Sequence, residues 1–379
     1  MRIAHISDVH LGYRAYNRVT TQGINRREAD VFAAFRRAMD EIAAISPDLI
    51  LIAGDLFHVV RPSNLTIQQT FKEFLDLRRK TGAPVVIIGG NHDSPRSADT
   101  GCILDLLTNI PDLYVAHGSY VQVPIQSLET SVFCLCHRAL PNLSDLKIEP
   151  DPGYKRNVLM VHGTVEGVIR HDYDLYQLSR SQVITDAWDY IAFGHYHLFT
   201  ELAPNAWYSG SVEFTSTSTW AESGQEKGFI EYDLDERRLI AFHKIPTREV
   251  VDLRPIDSTG FTAEEVSRMI ENRVGGIVGG HKDKIVRLVV ENIDRAVKND
   301  LDYALIRSIR TEALHFELQL RAPSRDGRSA SDDNGARMAK SLEEEWQEFA
   351  GTLELAGGVD RERLTRMGLG YLTSRSDTD

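Results

Sequence analysis

The sequence predicts an α/β protein built in layers, on three observations. Short β-branched and apolar runs alternate with amphipathic stretches early in the chain, in the order β-α-β-α-β. Between about residues 114 and 243 strand-like runs follow one another closely, which predicts a second, mostly antiparallel sheet packed on the first. Around residues 246–255 this pattern breaks and a smaller set of elements follows, as expected of a 379-residue chain that exceeds a typical single domain.

In chain order, "RIAHIS", "DLILIAG" and "APVVIIGG" read as buried strands. Between them "EADVFAAFRRAMDEIAAI" and "TIQQTFKEFLDLRRK" space their apolar residues as helices do, and Ser63 is placed to cap the second. The second sheet is expected from "YVQV", "SVFCLC", "NVLMVHG", "YIAFGH", "AWYSGS", "GFIEYDL" and "RLIAFHKI". Beyond the break come a helix near 263–273, the strand "KIVRLVVENI", a helix near 303–310 and the strand "LHFELQLRA". "PSRDGRSASDDNGARMAK" is polar and poor in apolar residues, as a flexible linker is, and two helices end the chain. The division expected is 1–247, 248–322, a linker 323–340 and C-terminal helices 341–379.

Composition narrows the function classes. With 42% apolar and 26% charged residues, the chain is an ordinary globular protein. Its net charge of −12 argues against a basic surface over the whole chain, but permits a local basic patch beside bound metal. Cys102, Cys134 and Cys136 make neither a disulfide framework nor a structural zinc site, which fits a reducing compartment. Met1 runs straight into a strand and no stretch reaches a membrane span, so a cytoplasmic protein is expected.

Five segments share one design, in which a strand runs into a loop that opens with Asp, His or Asn. They are Asp8-Val9-His10, Gly54-Asp55, Gly90-Asn91-His92-Asp93, Val161-His162-Gly163 and Gly194-His195-Tyr196-His197. Taken singly, each is an ordinary turn or strand end. Together they predict convergence, because open α/β sheets place their sites at the carboxyl ends of strands. Leaving His92 and Asp93 aside, the set offers two carboxylates, a carboxamide and four imidazoles, which suits manganese or iron better than zinc. Seven ligands exceed one ion's need and suffice for two if a carboxylate bridges, the arrangement used in phosphoester hydrolysis.

These motifs resemble those of the calcineurin-like metallophosphoesterases, D-x-H, G-D, G-N-H-D/E, H and G-H-x-H, and the match is complete. "ISDVHLGY", "GDLFHVVRPSN" and "GNHDSPRS" look like the double-strand-break repair nucleases of that superfamily, of the SbcD and meiotic-recombination-eleven type. The resemblance implies a four-layer α/β/β/α sandwich with a smaller α+β capping domain that binds DNA. It implies two divalent ions, most simply Mn2+: Asp8, His10 and His197 on one, Asn91, His162 and His195 on the other, Asp55 bridging. His92 is expected over the substrate phosphate with Asp93 orienting it, and His58 is expected to position the DNA. The resemblance further implies exonuclease and endonuclease action, a homodimer, a nucleoid-associated location and an SMC-like coiled-coil ATPase of the SbcC type as partner. The helix near Leu342, with Trp346 and Phe349 on one face beyond the linker, is the expected docking segment. Arg14, Arg18, Arg26, Arg27 and Arg61 are candidates for a basic rim that contacts DNA phosphates.

Some features carry no such expectation. "GGIVGGHKDK" lacks the Lys and Ser/Thr of a nucleotide loop and reads as a helix end and turn. His5, His117, His137, His171, His243, His281 and His315 have no ligand partners in sequence and are read as structural or exposed. The alternatives to a DNA nuclease are a phosphodiesterase or phosphatase acting on small molecules, and a non-catalytic scaffold holding an ATPase on DNA.

Overall fold

The computed structural model describes residues 1–95, 97, 100–168, 176–217, 219–323, 346–347, 349–351 and 360–373. Among these residues the strands form two six-stranded sheets, a four-stranded sheet and a two-stranded ribbon. In the first sheet β1 (Arg2–Ile6), β2 (Leu49–Ile52), β3 (Val85–Ile88) and β4 (Leu113–Ala116) run parallel. The second sheet holds β5 (Tyr120–Ile125), β6 (Thr130–Leu135), β7 (Arg156–His162), β10 (Tyr190–Gly194), β11 (Thr200–Ala203) and β12 (Ala206–Tyr208). The ribbon pairs β8 (Thr164–Val165) with β9 (Gln177–Leu178).

Two expectations are corrected here. The second sheet is mixed, since β6, β7, β10 and β12 pair in parallel and only β5 and β11 run antiparallel to their neighbours. The connections between β6 and β7 and between β7 and β10 are long enough for crossovers, and carry a 3-10 turn at His137–Asp145 and the short helix α3 (Arg180–Val183). In addition, "GFIEYDL" and "RLIAFHKI" are not in this sheet. They form β13 (Gly228–Asp233) and β14 (Arg238–Lys244), which extend the first sheet antiparallel beyond β1.

Strand periodicity assigns the layers. Along β1, Ile3 faces the core between the sheets while Ala4 and Ile6 face the helices; β2 splits Leu49 and Leu51 from Ile50 and Ile52 in the same way. The outer helices of that side are α1 (Arg26–Ile45) and α2 (Asn64–Thr81), and α1 buries Val31, Ala34, Phe35, Ala38, Met39 and Ile42 on one face. The side chains of Asn25 and Ser63 cap their first turns. Beyond the second sheet Phe133, Leu135, Leu159, Val161, Ile191 and Phe193 pack on the short helical segments, completing an α/β/β/α sandwich.

A separate apolar cluster lies among β15 (Val250–Asp252), β16 (Ile256–Asp257), β17 (Ile285–Glu291), β18 (His315–Leu320) and the helices α4 (Ala263–Gly275), α5 (Arg295–Asn299) and α6 (Tyr303–Glu312). β17 is its centre, paired in parallel with β15 and β16 along one edge and β18 along the other. The glycine-rich stretch is the end of α4 and the turn into β17, as its sequence indicates. The described residues end in α7 (Arg361–Thr373), and Trp346 Nε1 donates to the Thr365 carbonyl 3.0 Å away. Residues 324–340 of the expected linker 323–340, and Leu342, lie outside the described residues. Among the described residues no helix is long and apolar enough to cross a membrane.

Candidate metal centre

The carboxyl ends of β1, β2 and β3 face those of β7 and β10 across the sandwich, and all five motifs meet there. Main-chain bonds lace the first two loops: Asp8 N donates to the Gly54 carbonyl (3.1 Å) and His10 N to that of Asp55 (2.9 Å). Asp8, His10, Asp55 and His195 all have positive φ, at 50°, 54°, 50° and 99°. Such conformations each cost about 1 to 3 kcal/mol and persist where surrounding structure over-determines them, as at functional sites. Two motif glycines are required by close approach. A Cβ on Gly54, at φ +90°, would meet His162 Nδ1 at 2.2 Å, and one on Gly90 would meet Asp55 Oδ1 at 2.0 Å.

The seven predicted ligands fall into two halves that meet at Asp55. In one, His10 Nε2 lies 3.1 Å from His197 Nε2, and Asp8 Oδ1 lies 3.8 Å from the latter. In the other, Asn91 Oδ1 lies 3.1 Å from His162 Nε2 and 3.0 Å from His195 Nδ1. Asp55 Oδ2 stands between them, 3.7 Å from His10 Nε2 and 3.4 Å from His162 Nε2. Ligand atoms of Asp8, His10 and His197, and again of Asp8, Asp55 and His162, all lie within 4.8 Å of one another. His162 holds its Nδ1 on the Ala53 carbonyl at 2.8 Å, which turns Nε2 into the site. This donor set of buried carboxylates, a carboxamide and imidazoles, with no thiol, fits hard to borderline divalent ions.

Electrostatics divide the imidazoles. Burial lowers His10 and His197 to about 3, leaving them neutral with nitrogen lone pairs to offer. Burial presses His162 down as well, but the Asp55 carboxylate beside it prevails and lifts it to about 9. Conversely, burial alone would raise Asp55, yet the surrounding imidazoles, His162 foremost, hold its carboxyl well below the usual range.

His58 and His92 stack at 5.0 Å between ring centres beside His10, whose Nδ1 is 3.3 Å from His58 Nδ1. The expected pairing of Asp93 with His92 is corrected. Asp93 is fully buried and accepts from the backbone amides of Gly90 and Leu56, both at 2.8 Å, and of Phe57 at 3.4 Å. It therefore ties two loops together, and it is the His58 carbonyl, 3.0 Å away, that holds His92 Nδ1.

The arginines divide too. Arg27 is 1% exposed and bound to Asp30, Glu213 and the Phe214 carbonyl, so it cannot reach a DNA phosphate. Arg18 donates to the Arg310 and Thr311 carbonyls at the end of α6, and Arg26 pairs with Asp283, so both join the sandwich to the unit around β17. Arg14 is exposed beside Glu28, and Arg61 is exposed.

Three neighbours of the site escape sequence reasoning. His137, read as structural, lies with its ring centre 6.1 Å from those of both His162 and His195. Glu222 Oε1 lies 3.6 Å from His197 Nδ1, and Lys227 Nζ binds Glu222 at 2.6 Å. Neither residue sits in a motif: Glu222 lies in a loop and Lys227 before a strand, where a charge ordinarily faces solvent.

Curated relatives resemble the chain over comparable lengths. A DNA double-strand break repair protein Mre11 of Methanococcus maripaludis is 31% identical over 206 residues, 52% of this chain and 52% of that protein. Mre11 of Methanocaldococcus jannaschii is 28% identical over 287 residues, 69% and 71% of the two. The match thus spans about half the length of the first relative and more of the second. Among solved structures, the calcineurin-like phosphoesterase YfkN of Bacillus subtilis aligns at 13% identity over 54% of this chain and 74% of that one, with a TM-score of only 0.30. The calcineurin-like phosphoesterase model matches residues 1–199, more than half of the chain and the whole strand-end constellation. With its motifs gathered at the strand ends of both sheets and matched by that model, the chain belongs to the calcineurin-like phosphoesterase family.

Proposed function

We propose that this chain is a DNA nuclease that hydrolyses phosphodiester bonds at a two-metal centre and acts in double-strand-break repair in the cytoplasm, at the nucleoid. The observation that carries it is Asp55 Oδ2, set 3.7 Å from His10 Nε2 and 3.4 Å from His162 Nε2 where the two ligand halves meet. Asp8, His10 and His197 would hold one ion, Asn91, His162 and His195 the other, with Asp55 shared; Mn2+ suits the donors. When bound, such ions supply an acidified water and screen charge on the phosphoryl oxygens. His92, anchored through Nδ1 on the His58 carbonyl, would in its imidazolium form hand the Nε2 proton to the leaving oxygen and be left neutral, and His58 lies alongside to position the phosphate. The choice of DNA as substrate is supported by the names of the relatives and by exposed Arg14 and Arg61 on the loops after His10 and Asp55.

The test is cleavage of defined duplex ends with Mn2+, set against a small chromogenic phosphodiester. His92→Gln is expected to lower cleavage by about 10²- to 10⁴-fold while Mn2+ content stays unchanged. Full nuclease activity in that variant would reject the assignment, and a preference for the small ester would favour the small-molecule phosphodiesterase.

The residues 248–322 would act as a DNA-binding cap, with Arg18 and Arg26 fastening it to the sandwich. The proposed assembly is a homodimer joined to a coiled-coil SMC-like ATPase through the C-terminal helices. A chain ending at Lys340 is then expected to cut DNA without co-purifying with that ATPase; unchanged co-purification would refute the docking role.

A further inference from the structure

We infer that Glu222 and Lys227 form a charged brace behind His197 and make the two metal positions unequal, the one held by Asp8, His10 and His197 being the tighter. This rests on the two-metal reading above. A histidine that ligates through Nε2 must carry its proton on Nδ1, and the group that accepts this proton sets both the tautomer and the basicity of the ligand. His197 Nδ1 is buried and has no hydrogen-bond partner among the described residues. Glu222 Oε1 stands 3.6 Å away, a few tenths of an ångström beyond hydrogen-bond reach, so a small closure on ligation completes the bond.

Lys227 makes the placement of Glu222 deliberate. Its side chain is fully buried, and Nζ donates to Glu222 Oε2 (2.6 Å), Ser211 Oγ (2.9 Å) and the His197 carbonyl (2.8 Å). One ammonium therefore fixes both the carboxylate and the backbone of the ligand it faces, and the same cation lies 4.9 Å from the Phe214 ring centre. A buried lysine is costly without such partners, and all three of its partners serve this one corner of the site. In the other half His162 Nδ1 rests on a neutral carbonyl, that of Ala53, at 2.8 Å. A carboxylate behind an imidazole raises its basicity more than a carbonyl does, so the two halves offer unlike ligand strength for the same ion.

Calorimetric titration of the metal-free full chain with MnCl2 tests this. The wild type is expected to bind two ions with distinct affinities. Glu222→Gln should weaken the tighter site by about 10- to 100-fold and leave the other within about threefold. Two sites of equal affinity, or unchanged binding in Glu222→Gln, would overturn the brace and leave the two-metal reading standing, whereas a wild type that binds no Mn2+ would reject that reading itself. Should Glu222→Gln fail to fold, Glu222→Asp decides: a carboxylate drawn back from His197 Nδ1 is expected to weaken the tighter site alone, and unchanged Mn2+ binding overturns the brace.

Discussion

His5 is a fully buried imidazole in β1 whose Nδ1 meets the Tyr190 hydroxyl at 2.9 Å between the two sheets. Burial lowers it to about 3 from an ordinary value of 6.5. The unfolded chain therefore binds more protons than the folded one between those values, and stability falls as pH drops below about 6.5 toward 3. From pH 7.5 to 5.5 this single group should cost roughly 1 kcal/mol. The loss of melting temperature over that range is expected to be smaller in His5→Asn than in the wild type, and an equal slope would show that another group dominates. Residue chemistry was legible at His5, whose place in an apolar strand run marks it as core. Legibility failed at Arg27 and Asp93, because neither a buried ion pair nor a carboxylate bound to backbone amides in another loop leaves a trace in local sequence. Glu222 and Lys227 were invisible for the same reason, their partner His197 being brought to them by the fold.

At the scale of elements, α1 shows how a cap does more than start a helix. The side-chain oxygen of Asn25 accepts from Arg27 N and Glu28 N, while its amide donates to the carbonyls of Ala15 (3.2 Å) and Tyr16 (2.9 Å). One residue thus ends the loop that follows His10 and begins the helix. Asn25→Ala is expected to cost about 0.5 to 2 kcal/mol from the cap. Hydrogen exchange should also quicken in residues 13–25; a lowered melting temperature with unchanged exchange there would confine Asn25 to capping. Helices and parallel strands of the first sheet were legible because amphipathic spacing and continuous apolar runs differ plainly. The direction of the strands in the second sheet was not, since β6, β7, β10 and β12 are buried on both faces and the same apolar run serves either direction.

For the whole molecule, charged residues at the junction hold the unit around β17 against the sandwich. Arg248 binds Asp30 through Nε (2.9 Å) and the Asp283 carbonyl through Nη1 (2.9 Å), and Arg26 and Arg18 complete the seam. The Arg248–Asp30 pair, largely buried on both sides, is screened by salt less than a surface pair. The sequence by itself determined the alternation of elements, the break near residue 250 and the list of metal-ligand candidates, because strand-end motifs and periodicity are local properties. Only the tertiary structure decided which sheet the strands of residues 228–244 join, that Arg27 lies inside the protein, and that Glu222 backs His197. Each of these depends on contacts between residues far apart in the chain, where burial and pairing, rather than spacing, set what a side chain can do.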